Sequence, residues 1–318
     1  MGSGESCRAA LGGYTFKPGF FMTTYCEAIL EAHRWLMRER SEVFCIGQGV
    51  WSPWYVGNSM RDLEKDFGVE RVIDTPVSEA ATTSAALGAA LGGYRPIVVH
   101  PRMDFAVLAM DAIVNQAANW NHMFGGGISV PLTVRMIINR GGEQGAQHSQ
   151  ALHAWLAHVP GLRVVMPATP ADARDLLIAS VLSDDPVVYI DDRWLYEREA
   201  ELDEIAPVDL RDIRPRVRRE GSDLTLVGTG NGAAMCEEAA ELLEHFQWKN
   251  ANECEEHVQT NRESVADEMA DVAIYLFELA DLLEMDLGQE MLRKLKKNAV
   301  KYPVEKAKGT NKKYNELG

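Results

Sequence analysis

Between residues 22 and 230, short apolar runs alternate with segments of helical periodicity, and this alternation constrains the fold more than any other feature. The runs are continuous in Val, Ile and Leu, which is typical of strands buried on both faces. Strands that alternate with helices predict a parallel α/β sheet. The predicted strands cover residues 42–46, 71–74, 97–100, 131–137, 162–166, 186–190 and 223–227. The predicted helices cover residues 23–40, 79–91, 105–123, 150–158 and 170–182.

The chain changes class after residue 232, where strand signals end and proline becomes rare. Apolar residues recur at helical spacing from residue 265 to 283, which predicts a long amphipathic helix. Two more helices are predicted over residues 237–248 and 287–300. Three amphipathic helices favour a helical bundle. The charged segment 196–222 lies between the two classes and is typical of a surface linker.

Composition excludes several classes of protein. A net charge of −15 argues against a general nucleic-acid binder. No apolar run approaches the ~20 residues that a membrane helix needs. The five cysteines form no Cys-x-x-Cys pair, which indicates reduced thiols of a cytoplasmic protein rather than a disulfide framework or zinc site.

Three residue types that carry chemistry follow three predicted strands. Glu79 opens a helix after the second strand, Phe105 follows the third, and His148 lies in the glycine-rich loop after the fourth. Ligands of open parallel sheets bind beyond the carboxyl ends of the strands, so these residues are candidates for one site. The structural alternatives are a Glu that interacts with a helix dipole, a core Phe and a solvated loop His.

Several motifs resemble the β subunits of pyruvate and branched-chain 2-oxo-acid dehydrogenases, which use thiamine diphosphate. The resemblance covers about residues 22–232, and the motifs keep their order and spacing. They are Asp74-Thr-Pro-Val-Ser-Glu-Ala80, Asp104-Phe, Met110-Asp-Ala-Ile-Val-Asn-Gln-Ala-Ala118, Gln147-His-Ser-Gln150 and Asp184-Asp-Pro-Val-Val188.

The resemblance implies a role for each candidate. Glu79 exchanges a proton with the aminopyrimidine ring of the cofactor, Phe105 lies beside that ring, and His148 lies near the reacting carbonyl. The family has Gly-Glu after its first strand, whereas this chain has Gly47-Gln48, so Gln48 contacts the cofactor without carrying a proton.

The cofactor's diphosphate and magnesium ligands have no motif in this chain, because no Gly-Asp-Gly with a spaced Asn is present. The resemblance assigns those ligands to an α-type partner subunit. It therefore implies thiamine diphosphate shared between two subunits and negligible decarboxylation by this chain alone. The family's second domain is also absent beyond its opening strand, residues 223–227.

Two acidic pairs lie on the predicted helices after residue 232. Glu238 and Glu241 are three residues apart on one helix, and Glu268 and Asp271 have the same spacing on the next. Mg²⁺ takes about six oxygen ligands, and bundle cores commonly supply them from facing helices. The alternative is a solvated acidic face on each helix.

Residues 237–309 resemble MazG-like nucleoside-triphosphate pyrophosphohydrolases. The motifs are Glu237-Glu-Ala-Ala-Glu241, Glu244-His-Phe-Gln-Trp248, Ala266-Asp-Glu-Met-Ala-Asp-Val-Ala-Ile-Tyr-Leu276 and Lys297-Asn-Ala-Val-Lys-Tyr-Pro303. The resemblance implies Mg²⁺ and hydrolysis of a nucleoside triphosphate to the monophosphate and pyrophosphate. The implied metal ligands are Glu238, Glu241, Glu268 and Asp271, with Glu237 in support. The implied nucleotide contacts are Trp248, Lys297, Asn298, Lys301 and Tyr302. The family's preceding helix is missing, so a neighbouring chain of a homo-oligomer is expected to cover the gap.

Together the two resemblances predict a fusion, with an α/β thiamine-diphosphate-binding domain followed by an all-α MazG-like domain. The string Cys236-Glu-Glu-Ala-Ala-Glu-Leu-Leu-Glu244 fits both families, which suggests natural recombination or an assembled chimera at a shared sequence. Three functions stay open: a partner-dependent dehydrogenase β subunit, a pyrophosphohydrolase and a non-catalytic chimera. The expected segments are a flexible leader (1–21), the α/β domain (22–195), a linker with a remnant strand (196–232) and the helical domain (233–318).

Overall fold

The structure, a computed structural model, describes residues 22–139, 145–220, 225–245, 251–282, 285–301 and 303. The expected leader, residues 1–21, lies outside the described residues. The strands are β1 (Thr23–Thr24), β2 (Val43–Gln48), β3 (Val72–Thr75), β4 (Arg95–His100), β5 (Thr133–Ile138), β6 (Arg163–Val165), β7 (Val187–Asp192) and β8 (Glu199–Ala200).

Six strands form one parallel sheet in the order β3-β2-β4-β5-β7-β6, which confirms the predicted α/β class. Strands β5 and β7 are buried along their whole length because helices cover both faces of the sheet. The α-helices of this part are α1 (Tyr25–Glu39), α2 (Pro53–Val56), α3 (Leu63–Phe67), α4 (Glu79–Leu91), α5 (Ala118–Met123), α6 (His153–Ala157) and α7 (Pro170–Leu182).

The helical stretch predicted over residues 105–123 is confirmed, but the type of helix changes along its length. A 3-10 helix (Met103–Ala109) and a π-helix (Asp111–Ala117) precede the short α5. The side-chain amide of Asn119 donates to the carbonyl oxygen of Val114 at 2.9 Å, five residues back, and this bond accompanies the wider turns. Segments of this kind are frequent at functional sites.

Residues after β7 return to the start of the domain. Strand β8 pairs antiparallel with β1, and the amide of Tyr25 donates to the carbonyl oxygen of Arg198 at 2.7 Å. The side chains and backbone of Thr24 and Glu27 cap each other at the start of α1. This pairing fixes the backbone of Arg198 beside the amino end of α1.

The predicted strand 223–227 is wrong in its described part. Residues 225–227 lie in no strand, and Val227 is 86% exposed, because no neighbouring strand among the described residues pairs with them. The chain instead turns into α8 (Asn231–Glu244), whose Ala234 is fully buried in the core under α1 and α7. The helix that begins the MazG-like segment is therefore anchored on the α/β domain.

The helical part continues with α9 (Ala251–Thr260), α10 (Arg262–Leu282) and α11 (Leu287–Lys301). Helix α9 was not predicted, because its sequence is short and has few apolar residues. Helices α8 and α10 pack along each other, whereas Met291, Leu292 and Leu295 of α11 are exposed. Within the described part of the chain, no helix is both long and apolar enough to cross a membrane.

Candidate functional sites

The carboxyl ends of four neighbouring strands, β3, β2, β4 and β5, gather the predicted cofactor residues at one edge of the sheet. Glu79 is the first residue of α4 after β3, and Gln48 is the last residue of β2. Phe105 lies in the 3-10 helix after β4, and His148 ends a short 3-10 helix after β5. All four side chains are half-buried, as expected for groups that line a binding site.

Phe105 and His148 are in direct contact. Their ring centroids lie 5.0 Å apart with an interplanar angle of 77°, which is an edge-to-face arrangement. The Nδ1 atom of His148 is buried and has no hydrogen-bond partner among the described residues. Buried polar atoms without partners are uncommon, so this nitrogen is a candidate for ligand binding.

Asp104 holds the His148 loop against the 3-10 helix. Its Oδ1 accepts a hydrogen bond of 3.0 Å from the amide of Gln150, and its side chain is almost fully buried. The amide of Leu152 contacts the sulfur of Met103 in the same way, at 3.3 Å. No role was predicted for Asp104, although the motif Asp104-Phe carried a signal for it.

Gln48, at the carboxyl end of β2, lies beside the end of β3. A Cβ at Gly47 would overlap the carbonyl oxygen of Val99, so only glycine lets β2 and β4 approach this closely. The amide of Gly49 donates to Oδ1 of Asp74 at 2.6 Å, and Gln48 is in register with Thr75. The Gly47-Gln48 dipeptide is therefore fixed at the sheet edge by its neighbours.

A buried hydrogen bond supports the helix that carries Glu79. One turn into α4, Oγ1 of Thr83 lies 3.1 Å from Nε2 of His100, the last residue of β4. Burial lowers the pKa of His100 to about 4, so this imidazole is neutral at neutral pH. The contact ties the amino-terminal half of α4 to the end of β4.

A second cluster lies between α8 and α10. Glu238 and Glu241 of α8 and Glu268 of α10 each offer a carboxylate oxygen, and these oxygens all lie within 4.8 Å of one another. Oε2 of Glu268 is buried without a hydrogen-bond partner among the described residues. Oxygens this close from facing helices are the ligand set that a hard divalent cation takes.

The electrostatics of the cluster also favour a cation. The pKa of Glu238 is raised above its ordinary value of 4.5, chiefly by burial. The charges of Glu241, Asp271 and Glu268 raise it further, while Arg198 opposes them. Asp271 is therefore close enough to act on Glu238, although it lies outside the group of three. A divalent cation would relieve this repulsion between carboxylates.

Arginines from outside the helical part pair with the same helix. The guanidinium of Arg198 contacts the carboxylate of Glu238 and lies 3.4 Å from Glu237. Arg218 lies 2.7 Å from Glu237, and the structure thus places Glu237 among arginines and not in the group of three carboxylates. These contacts were not predicted, because the charged segment 196–222, which contains both arginines, is typical of a surface linker.

A third arginine reaches the other end of the cluster. The guanidinium of Arg219 lies 3.2 Å from the carboxylate of Glu241. The ion pairs of Arg198, Arg218 and Arg219 thus follow one face of α8 from Glu237 to Glu241.

The predicted nucleotide contacts are only partly described. Lys297 is exposed and Asn298 half-buried on α11, and Lys301 is the last residue of that helix. Trp248 and Tyr302 lie outside the described residues.

Residues 22–198 match the sequence family described as "Transketolase, pyrimidine binding domain", a match that spans more than half of the chain. The chain belongs to this family. Residues 234–317 match the family described as "MazG-like family". The two matches confirm the predicted fusion of a transketolase-type pyrimidine-binding domain with a MazG-like domain.

Relatives of the pyrimidine-binding domain include two dehydrogenase subunits. The "Pyruvate dehydrogenase E1 component subunit beta" of Rhizobium meliloti is 37% identical over 221 residues, which are 70% of this chain and 48% of that protein. The "2-oxoisovalerate dehydrogenase subunit beta" of Bacillus subtilis is 35% identical over 225 residues, 70% of this chain and 68% of that protein. The chain thus spans about half the length of the first relative.

A solved structure shares the fold of the pyrimidine-binding domain. It is described as "Split gene transketolase, inactive beta4 tetramer", and it aligns with a TM-score of 0.51 at 21% sequence identity. The alignment covers 71% of this chain and 68% of the other.

Proposed function

We propose that the pyrimidine-binding domain is the β-type half of a thiamine-diphosphate-dependent 2-oxo-acid dehydrogenase and works with an α-type partner subunit. The contact between Phe105 and His148, with an unpartnered buried Nδ1 at the carboxyl edge of the sheet, carries the proposal. The names of the relatives, β subunits of pyruvate and 2-oxoisovalerate dehydrogenases, support it.

The residues at the sheet edge fit the aminopyrimidine side of the cofactor. Thiamine diphosphate, when bound, supplies the carbanion chemistry that decarboxylation of a 2-oxo acid requires. The carboxyl group of Glu79 would hold and return the proton of a ring nitrogen, and the ring of Phe105 would contact the heterocycle. The Nδ1 atom of His148 is free to hydrogen-bond the reacting carbonyl.

Gln48 changes this site in a defined way. Its amide donates and accepts hydrogen bonds but has no acidic proton, so it holds its neighbours without relaying protons. Glu79 is therefore the acidic group on which proton exchange depends in this half of the site.

The cofactor's diphosphate is expected to be bound by the α-type subunit. Thiamine-diphosphate affinity, measured by calorimetry with and without a co-expressed α-type subunit, tests the proposal. We expect tight binding only in the complex and weaker binding for Glu79→Gln. Equal affinity of the chain alone, or no binding by a well-folded complex, would contradict it.

The MazG-like domain supports a second function, a magnesium-dependent nucleoside-triphosphate pyrophosphohydrolase. The carboxylate oxygens of Glu238, Glu241 and Glu268 within 4.8 Å favour it, as does the unpartnered Oε2 of Glu268. Mg²⁺, when bound, activates water and neutralises phosphate charge. The three glutamates would hold the cation, and attack of water on the α-phosphorus would break its bond to the α,β-bridging oxygen and release the monophosphate and pyrophosphate.

Pyrophosphate release from a panel of nucleoside triphosphates with Mg²⁺ tests this second function. We expect release by the full chain and loss of release in Glu268→Ala. Glu263→Ala is the matched control, because Glu263 is an exposed residue of the same helix outside the cluster. Release that survives Glu268→Ala, or a folded chain that releases none, would contradict the function.

A further inference from the structure

Two arginines that belong to the α/β side of the chain lie at the carboxylates of the helical side. Arg198 ends the matched pyrimidine-binding domain, and Arg218 lies in the segment that follows it. Both guanidiniums converge on Glu237, at 3.4 Å and 2.7 Å, and Arg198 also contacts Glu238 of the carboxylate cluster.

We propose that Arg198 and Arg218 bind the polyphosphate chain of a cation-bound nucleotide, so that the phosphate site is shared between the two domains. This inference rests on the proposed pyrophosphohydrolase function and adds residues to its site. It assigns to the pyrimidine-binding domain a role in the chemistry of the MazG-like domain.

A cleft of about 370 Å³ lies where the two domains meet. Its walls include Thr169 and Pro170 at the start of α7, Arg198 and Arg218, and Glu237 of α8. Small-molecule sites typically measure about 300–1,000 Å³, so the cleft is large enough for a chain of phosphates. Arg198 is both a wall of this cleft and a contact of Glu238, and it therefore connects the cleft with the carboxylate cluster.

Charge balance explains why arginines are needed there. A polyphosphate that approaches three carboxylates is repelled, and one divalent cation does not neutralise both groups. A guanidinium group donates two parallel hydrogen bonds to phosphate oxygens and stays charged at neutral pH. The ammonium group of lysine is a single point charge on a flexible side chain and does not make this paired contact. Arg198 and Arg218 supply this positive charge at the border of the cluster.

The position of Arg198 suits a binding role. Its backbone is fixed by pairing with the start of α1, and its side chain is 28% exposed, so the guanidinium is both placed and accessible. When a cation takes the oxygens of Glu238, that carboxylate ceases to be available to Arg198. Nη1 of Arg198 keeps Glu237, but Nη2 loses its partner, and a phosphate oxygen beside the cation provides a new one.

Calorimetry on the full chain tests the inference without any turnover. The probes are Mn²⁺ alone and inorganic tripolyphosphate in the presence of Mn²⁺. We expect Arg198→Gln and Arg218→Gln each to weaken tripolyphosphate binding about tenfold, since a hydrogen bond between charged groups is lost. At pH 7.5, affinity for Mn²⁺ alone should stay equal or increase in Arg198→Gln, because Arg198 competes for Glu238, and should stay equal in Arg218→Gln. Loss of a merely structural ion pair would not weaken tripolyphosphate binding while leaving the Mn²⁺ affinity equal or higher.

Matched variants complete the experiment. Arg198→Lys should retain part of the tripolyphosphate affinity, and Arg211→Gln, which changes an exposed arginine paired with Asp209, should change neither affinity. If Arg198→Gln does not fold, as judged by its thermal melt, the more exposed Arg218→Gln decides the outcome.

Two results would overturn the inference: a wild-type chain that binds no tripolyphosphate, or arginine variants that bind it as tightly as the wild type. Absence of pyrophosphate release with intact, arginine-dependent binding would instead reject only the hydrolase function.

Discussion

The guanidinium of Arg198 lies against the carboxylate of Glu238, which brings a residue of the pyrimidine-binding domain into contact with the candidate metal cluster of the MazG-like domain. The segments that match the two families are therefore in contact through this ion pair. Ion pairs between partly exposed side chains stabilise proteins only modestly, by about 0–1 kcal/mol. We infer that the main effect of the contact is to place the positive charge of Arg198 beside the carboxylate cluster, and that its contribution to stability is small.

As the pH is lowered, the cluster should lose its affinity for a cation at a higher pH than a site built from ordinary glutamates. The pKa of Glu238 lies above its usual 4.5, so protons compete with the cation at a higher pH. Mn²⁺ binding followed by calorimetry from pH 7.5 to pH 5 measures this loss. In Arg198→Gln the loss should begin at still higher pH, because Arg198 lowers the pKa of Glu238. A pH-independent affinity over this range would contradict the assignment of Glu238.

Two buried histidines should make the fold acid-sensitive. Burial lowers the pKa of His33 to about 3 and that of His100 to about 4. The unfolded chain takes up these protons below about pH 6.5, whereas the folded protein does not. Stability is thus complete above that pH and falls as the pH drops towards 4 and then 3. We expect a loss of about 2 kcal/mol per histidine at pH 5.

Urea unfolding at pH 7.5, 6 and 5 measures this dependence. His33→Gln and His100→Gln should each flatten it, and His122→Gln, at an exposed position, should leave it unchanged. An equally steep dependence in the double variant would show that other groups are responsible.

The ion pair of Arg135 and Asp191 should be costly to break. Both side chains are fully buried between β5 and β7, with two hydrogen bonds of 2.9 and 2.8 Å between them. Arg135→Met leaves the Asp191 charge unpaired and should reduce the free energy of unfolding by about 3–5 kcal/mol. Chemical denaturation measures the change, and Arg135→Met with Asp191→Leu should recover part of it. The exposed pair of Arg211 with Asp209 provides the control, for which Arg211→Met should cost about 0–1 kcal/mol.

Glycine is required at position 47 and replaceable at position 88. An Ala side chain at Gly47 meets the backbone oxygen of Val99 in the adjacent strand, which cannot move without breaking the ladder. Gly47→Ala should therefore destabilise the fold by more than about 1 kcal/mol. A Cβ at Gly88 in α4 meets no atom within 4 Å, so Gly88→Ala should stabilise by about 0.5–1 kcal/mol. Thermal melts of both variants test the pair, and similar melting temperatures would refute the packing argument.

The central strands were predictable because strands buried on both faces leave continuous apolar runs. The predicted strands 97–100 and 186–190 lie within or overlap β4 and β7. The prediction of a strand over residues 223–227 rested on the same kind of apolar run and was wrong in its described part. An apolar run does not reveal whether a neighbouring strand is present to pair with it. Helix α9 was missed because its sequence is short and polar.

Local spacing predicted some residues of the candidate sites, whereas others depend on contacts between distant parts of the chain. Spacing along the chain located Glu238 and Glu241 on one helix face, and Glu268 joins them in the structure. The pairing of Arg198 with α8 depends on the return of β8 to the start of the domain, which no local pattern encodes. Likewise, the role of Asp104 depends on the path of a loop more than 40 residues later.

Thiamine-diphosphate-dependent decarboxylation of 2-oxo acids, followed with an artificial electron acceptor, tests the proposed dehydrogenase function directly. The full chain is assayed alone and co-expressed with an α-type dehydrogenase subunit, with Glu79→Gln as the test variant and Glu31→Gln, at an exposed position of α1, as the control. The proposed function predicts turnover by the complex but none by the chain alone. Turnover by the complex should be lost in Glu79→Gln and retained in Glu31→Gln. Turnover by the chain alone, or a complex that is unaffected by Glu79→Gln, would contradict it.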